Sequence, residues 1–584
     1  MGLAGGAVSK VGFAAWRTGM GACSAVLFFH APARAQSTPA VLQAAPAPAQ
    51  LAPAQPTFEH TVPVTREMGH EARLPALSLM VRSVAFVGAG AFSQSVLERF
   101  GRGFAGQRVS LHTLEQTRMA LLRLYRDHGF VLTTVSMKID RDANVRFVVT
   151  EGYIASVRLG HDIGPAGVKV LAILQHLVDR RPLANVEMEH WLLLAQQVAG
   201  VSLRAMVQSA NREPGALALV ADVSRQAVSA MISADNRGYD ATGPEEGLVV
   251  VHLNSFTSLG EQTDLVYYHT NGNTDNFGQL TESVFLGSGG LQFHAYGGMG
   301  RASPSGVLRD LDYHSQVVSY GASLSYPVLL GRRQALTTRL SLDARDVAIS
   351  AEGGPLSQDS MRVARGSASY AWQDIWLGGT RTGVSTVDLT GSQGLPFMGS
   401  SANGRAAPPG GRDRARFDFR KISIALSRSQ VLAAPWQGAS VVLRGAAGGQ
   451  YSGAVLPTAE EFYLGGQSFT RGYYSGQVAG DKTAYATAEL QLNTTANVAL
   501  FRHNFDIRSQ LYGFYDWGQA WSNQAGGSNP RLASAGVGVK IGFGHNFQMQ
   551  GEFVHRMTTR LDYEGLGTQS LGHTMLYWGA TALY

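Results

Sequence analysis

At 584 residues the chain is too long for one ordinary domain. Apolar residues make up 45% and charged residues 15%, yet past residue 35 no run approaches the roughly 18 apolar residues of a membrane helix. The formal charge of +6 is spread without a basic run, which excludes a nucleic-acid partner that needs Lys and Arg clustered on one face.

Residues 1–35 read as a secretory signal. Lys10 and Arg17 supply positive charge, residues 20–31 form a short apolar stretch, and Ala33-Arg34-Ala35 offers an A-x-A cleavage site before Gln36. Met20 is an alternative start. The single cysteine, Cys23, falls in this segment. The apolar run 25–29 follows it rather than precedes it, which argues against lipidation. The mature chain is expected to hold no disulfide. Residues 36–77 are rich in Ala and Pro and read as an extended linker that buries no core.

Residues 78–152 read as a small α/β unit. A strand is expected over 81–87, a short helix over 93–100 and a longer helix over 111–128. Leu114, Leu121, Leu122 and Tyr125 fall at helical spacing, and Gly129 is placed to end the helix. A hairpin of 131–139 and 145–150 follows, giving the order β-α-α-β-β. Residues 153–225 repeat that order, with a strand at 154–159, helices at 167–179 and 186–198, and strands at 203–210 and 216–223. Two tandem copies are a stronger signal than either alone.

Over residues 226–584 the apolar period becomes two. Val318, Tyr320, Ala322, Leu324 and Tyr326 share one face, with Ser319, Gly321, Ser323 and Ser325 on the other. Leu336, Thr338, Leu340, Leu342 and Ala344 alternate with Thr337, Arg339, Ser341, Asp343 and Arg345. An arginine facing lipid at mid-depth costs about 2–4 kcal/mol, so the charged face must line a lumen. Residues 535–543 and 547–553 alternate likewise, and Leu576, Trp578, Ala580, Ala582 and Tyr584 continue the pattern to a terminal aromatic. A soluble sandwich of this size would be unusually large, whereas sixteen membrane strands at about 22 residues per strand and connection fit the length.

One segment breaks the alternation. Residues 462–476, FYLGGQSFTRGYYSG, are Gly-rich and carry Arg471 between Thr470 and Gly472. A cation flanked by glycine suits a loop folded into a polar lumen, where backbone passes close to backbone. In residues 511–517, Tyr515 and Trp517 turned towards lipid put Asp516 in the lumen within reach of Arg471.

Four local motifs extend the argument. They are Gly129-Phe130-Val131 with Glu151-Gly152-Tyr153-Ile154; Asp235-Asn236-Arg237-Gly238; Glu461-Phe462-Tyr463-Leu464-Gly465-Gly466 with Arg471-Gly472-Tyr473; and Phe514-Tyr515-Asp516-Trp517-Gly518. In order and spacing they resemble the two-partner secretion transporters, the family of haemolysin activators and filamentous-haemagglutinin exporters. The resemblance implies two tandem polypeptide-transport-associated (POTRA) units followed by a sixteen-stranded antiparallel outer-membrane barrel. It implies an inward loop marked by Gly465, Gly466, Arg471, Gly472 and Tyr473, received by a strand bearing Phe514, Asp516 and Gly518. It implies export of a large secreted partner protein, unfolded and without ATP, by a protein set in outer-membrane lipid through the barrel-assembly machinery. Members of the family often carry an N-terminal plug helix, and residues 36–77 offer only the linker.

Enzymatic motifs are not found. Gly88-Ala89-Gly90 is too short for a dinucleotide fingerprint and reads as a turn; there is no Walker loop and no nucleophile elbow. The 16 histidines lack zinc-ligand spacing, and His545-Asn546 fits a turn. No cofactor or metal is expected. The alternatives are a factor that inserts other barrels, which usually carries more than two periplasmic units, and a passive porin, which carries none.

Overall fold

The computed structural model describes residues 77–210, 213–238, 242–305, 307–310, 312–403, 412–500, 503–563 and 567–584. The expected signal, nearly all of the linker with any plug helix, and Cys23 lie outside them.

The first unit is built on the long helix Leu111–Asp127. Ser110 caps it by accepting from the Thr113 N–H. Its apolar stripe, Leu114, Leu121, Leu122 and Tyr125, packs on Val145, Phe147 and Val149, the alternate residues of strand Asn144–Thr150. Gly129, at φ 86°, ends the helix. The Phe130 N–H bonds the Tyr125 carbonyl and the Gly129 N–H bonds that of Arg126, while the Phe130 ring contacts Tyr125. That is a Schellman cap with its hydrophobic contact, and it explains the Gly-Phe pair.

One expected strand is corrected. Residues 81–87 are not continuous: Ser78–Met80 pairs with Arg108–Ser110, and Ser83–Val87 lies parallel to Asn144–Thr150. Val81 between them is fully buried and ties the two small sheets together. In the second unit the helix expected over 167–179 is Pro165–Leu174, followed by a tighter turn Gln175–Leu177. Its sheet places Ala216–Arg225 between Tyr153–Leu159 and Val201–Ser209.

Glu151 and Gly152 make the junction. One Glu151 carboxylate oxygen accepts from the N–H groups of Gly90 and Ala91 and from the Tyr125 hydroxyl. A Cβ on Gly152 would lie 2.3 Å from the Leu132 carbonyl oxygen. The Asn185 N–H, opening the helix Asn185–Gln196, donates to the Gly129 carbonyl of the first unit.

Among the described residues, sixteen strands close into one antiparallel barrel. They are β1 (Val228–Asp235), β2 (Glu246–Asn254), β3 (Gln262–Thr270), β4 (Asp275–Phe285), β5 (Gln292–Ala302), β6 (His314–Leu330), β7 (Gln334–Ala351) and β8 (Gly354–Asp374), then β9 (Gly383–Gly394), β10 (Arg420–Ala433), β11 (Ala439–Ser452), β12 (Lys482–Leu500), β13 (His503–Trp521), β14 (Arg531–Phe543), β15 (Phe547–Arg556) and β16 (Thr574–Leu583). The alternation decides the faces: Tyr320, Leu324 and Tyr326 are exposed while Ser319, Ser323 and Ser325 are buried. Closure leaves no sheet edge in the membrane. The backbone of Tyr584 exchanges both hydrogen bonds with Ala230, and β1 pairs with β16 as far as Asp235 opposite Gly579.

The second unit sits on one mouth, here the near mouth. Barrel residues Phe285 and Leu330 join its buried core. Ser255 Oγ donates to the Ala199 carbonyl at 2.7 Å and Lys169 Nζ to the Gly287 carbonyl at 3.2 Å. Glu189 accepts from the Arg332 N–H. Three inter-strand turns are thus fixed to one α/β unit.

Candidate functional site

Because β1 leaves the second unit at the near mouth, odd strands run towards the far mouth. The connection between β11 and β12 therefore starts at the far mouth, and it folds back into the lumen. Its base is a two-stranded ribbon, Phe462–Leu464 paired with Val478–Gly480. At its turn Gly465 has φ 112° and Gly466 φ 82°. A Cβ on Gly465 would fall 2.0 Å from the Tyr474 carbonyl oxygen, so the turn closes only with glycine there. Phe469 packs between Phe462 and Tyr485, which holds the tip against β12.

The tip meets one lateral row of side chains. Ladder registers place Thr487 of β12 opposite Asp516 of β13, Asp516 opposite Ser534 of β14, and Ser534 opposite Arg556 of β15. Every member of this row holds Arg471 or Gly472. Arg471 Nε and Nη2 donate to the two Asp516 oxygens, each at 2.9 Å, and the Arg471 N–H donates to Oδ2, also at 2.9 Å. Arg471 Nη2 reaches Thr487 Oγ1 at 3.2 Å. The Gly472 N–H donates to Ser534 Oγ at 3.3 Å, and Arg556 Nε donates to the Gly472 carbonyl.

The next row supplies a second anion and a ring. Arg471 Nη1 pairs with Glu489 of β12. The guanidinium carbon lies 3.5 Å from the centroid of Phe514, the residue opposite Glu489. Gly536 makes room for that ring, since a Cβ there would stand 2.7 Å from Phe514 Cζ. Tyr473 donates its hydroxyl to the Ala533 carbonyl at 2.7 Å and accepts from the Thr558 N–H. Gly518 lies under Leu464 and Thr470. The structure thus brings Gly465, Gly466, Arg471, Gly472 and Tyr473 onto Phe514, Asp516 and Gly518.

The sequence reading had not singled out Thr487, Glu489, Ser534 or Arg556. A signal existed for the β12 pair: Thr487, Glu489 and Gln491 alternate with Ala486, Ala488 and Leu490. Two further anchors were also missed. Glu460 sits between Arg365 of β8 at 2.6 Å and Lys421 of β10 at 2.7 Å. Burial alone would raise its carboxyl; Arg365 and Lys421 hold it down at about 2. Arg412, from the connection between β9 and β10, grips both Asp481 oxygens at 2.7 and 2.9 Å and lies 3.1 Å from Glu461. The loop is tied by charge at its tip through Arg471 and at its base through Glu460, Glu461 and Asp481.

Comparison with known proteins places this architecture. Residues 217–541, more than half of the chain, match the family model "Haemolysin secretion/activation protein ShlB/FhaC/HecB", and residues 79–152 match the ShlB-type POTRA domain. The outer membrane transporter CdiB of Dickeya dadantii (strain 3937) is 23% identical over 268 residues, 44% of this chain and 45% of that protein. The matched region spans under half the length of that relative. CdiB from Escherichia coli shares the fold at TM-score 0.69 and 17% identity, over 90% of this chain and 94% of that one. CdiB from Acinetobacter baumannii does so at TM-score 0.59 and 15% identity, over 94% and 95%. This chain, an outer-membrane barrel with its POTRA units in the periplasm, belongs to the ShlB/FhaC/HecB haemolysin secretion/activation family.

Proposed function

We propose that the protein captures a large secreted partner protein in the periplasm and exports it, unfolded and without ATP, through the barrel lumen. The observation that carries this reading is the docking of the second POTRA unit on the near mouth, with barrel residues Phe285 and Leu330 inside its core. A chain bound to that unit is already at the lumen entrance. The unit's sheet ends on one side in Tyr153–Leu159 and on the other in Val201–Ser209. Val201–Ser209, and Tyr153–Leu159 beyond Ile154, where Val178 already pairs, are templates for strand addition by an extended segment, whose main-chain bonds need no fixed sequence.

In this reading residues 78–152 and 153–225 carry recognition and residues 226–584 carry conduction. The loop held by Arg471 on Asp516 narrows the lumen at rest and is displaced by cargo. Charge-tethered loops suit that task, because their contacts are re-solvated when the loop leaves, whereas an apolar plug would expose a core. Folding of the cargo outside the cell supplies the direction of transport.

The test is removal of residues 78–223. The truncated protein is expected to conduct in planar bilayers and to secrete nothing. Continued secretion by it would overturn the assignment of recognition to the POTRA units. Site-specific crosslinking from Tyr153–Leu159 and from Val201–Ser209 should capture one large secreted protein, where a barrel-insertion factor would capture many barrel precursors.

A further inference from the structure

The lipid-facing side of the barrel carries a trough that conduction does not use. Ladder registers align Leu340, Gly366, Gly391, Ile422 and Tyr451 in one row across β7 to β11. All five point outward. Leu340 is 68% and Tyr451 60% exposed, and they wall the two ends. Gly366 and Gly391 carry no side chain, so the floor between the walls drops to the backbone. The resulting space is about 1010 Å³ and is lined almost wholly by apolar surface.

Charge is placed unevenly around it. Arg420, at the far-mouth end of the trough, faces outward and donates Nε to Gln393 Oε1 at 2.8 Å. Lys482 stands beside the trough wall with Nζ 5.4 Å from the Tyr451 ring. Among the described residues no carboxylate pairs with either cation. Arg428, the outward cation lower on β10, is by contrast gripped by both oxygens of Asp374 at 2.8 Å. Arg362, a further outward cation on the far side, is likewise paired, with Asp346 at 2.8 Å, so among the described residues beside the trough it is Arg420 and Lys482 that protein carboxylates leave to the outer leaflet. Arg420 and Lys482 are two strands apart and offset by two residues along the strand, a backbone separation on the order of 12 Å. That separation suits two phosphates on one headgroup rather than a single phosphate.

We propose that this trough binds a bis-phosphorylated, multiply acylated glycolipid of the outer leaflet. One acyl chain lies over Gly366 and Gly391 between Leu340 and Ile422. Arg420 and Lys482 take the phosphates by charge-assisted hydrogen bonds. The inference rests on the outer-membrane placement of the barrel and is independent of what passes through the lumen.

The test uses the full chain in detergent, with native mass spectrometry reading bound lipid. The probes are bis-phosphorylated lipid A, its dephosphorylated form, and phosphatidylglycerol. The wild type is expected to hold bis-phosphorylated lipid A at least about tenfold more tightly than either other probe. Arg420→Gln with Lys482→Gln should weaken that binding by at least about tenfold, and by more if both charge-assisted bonds are lost in full. Gly391→Leu should weaken it comparably by filling the floor; nothing lies within 4 Å of a Cβ there, so the barrel accepts the side chain. Arg531→Gln, an outward cation beside Trp517 and away from the trough, is the control and should change nothing. Heat-modifiable migration checks that each variant is folded. Unchanged lipid A affinity in either trough variant, or equal affinity of the wild type for phosphatidylglycerol, overturns the proposal.

Discussion

Arg471 and Asp516 are joined three times, through Nε, through Nη2 and through the Arg471 main-chain N–H, each at 2.9 Å. The backbone contact fixes where the loop passes and the fork fixes how the guanidinium lies. Glu489 and Phe514 then act on a cation already positioned. The pair is therefore asymmetric. Removing Asp516 leaves Arg471 with Glu489, whereas removing Arg471 takes the guanidinium from two buried carboxylates at once.

That asymmetry sets the first prediction. Breaking a buried pair on one side costs about 3–5 kcal/mol. Arg471→Ala should carry that cost in full at the loop and Asp516→Ala a smaller one. Both variants should insert as heat-modifiable barrels, secrete poorly and conduct more than wild type, with Arg471→Ala the more severe. The double variant should be no worse than Arg471→Ala, because both changes remove one shared contact. Arg471→Lys should not rescue, since an ammonium makes no planar fork and no stacked contact with Phe514. Wild-type secretion and conductance in Arg471→Ala would end this account.

Glycine positions separate by what a Cβ would meet. At Gly472 it would lie 2.8 Å from Ser534 Cβ and 3.1 Å from Val554 Cγ1, atoms close to the barrel backbone. At Gly518 the nearest atoms are Leu464 Cδ1 and Thr470 Cγ2 at 3.0 Å, the far ends of loop side chains. Gly472→Ala should therefore lift the tip and raise conductance, while Gly518→Ala should shift it little. Single-channel recording of the two variants decides this, and equal effects would contradict it.

The period-two pattern made the barrel legible, because lipid on one side and lumen on the other enforce alternation along every strand. The same parity turned Asp516 inward from its outward neighbours Tyr515 and Trp517. What parity along one strand does not encode is the register between strands. The row Thr487–Asp516–Ser534–Arg556 exists only once four strands are aligned, so Thr487, Ser534 and Arg556 looked like ordinary lumen residues. Arg412 was hidden for another reason. It reaches Asp481 from a connection 69 residues away, and no local spacing announces such a contact. In the first unit the strand 81–87 read as continuous because Val81 is apolar like Val84, Phe86 and Val87; burial between two sheets leaves the same sequence signature as burial in one.

A third prediction concerns the seam. The β1–β16 ladder stops at Asp235, and the Asn236 side chain continues it. Asn236 Nδ2 donates to the Leu576 carbonyl at 3.0 Å and Oδ1 accepts from the Trp578 N–H at 2.8 Å. Arg237 then crosses over Tyr577 to pair with Glu552 of β15. Asn236→Ala removes two hydrogen bonds worth about 0.5–1.5 kcal/mol each. The barrel should lose heat-modifiable migration at a lower temperature than wild type, and a cysteine pair across β1 and β16 near Asn236 should oxidise faster. Asn236→Asp keeps the acceptor and loses the donor, and should fall between. An unchanged transition in Asn236→Ala would show that the ladder alone holds the seam.

The last prediction is a pH window for the loop. Glu460 belongs to the loop, and its carboxyl is held at about 2 by Arg365 and Lys421 against the opposing effect of burial. In a released loop it would titrate near 4.3, the value of a free glutamate. A folded value below the free one means the docked loop is favoured by the charged form. That contribution is complete above about pH 4.3 and is lost as pH falls through about 2. Limited proteolysis of the loop in detergent-solubilised barrel should therefore be the same at pH 7 and pH 5, and cleavage should increase only as pH approaches about 2. An acid-stable protease is needed at the low end. Glu460→Gln should raise cleavage at pH 7 above wild type and shrink the acid-dependent rise, because Arg365 and Lys421 then share the site with no anion from the loop while the Arg471–Asp516 and Arg412–Asp481 ties remain. A transition centred near pH 5 in the wild type would mean that Glu460 is not the group whose protonation loosens the base of the loop.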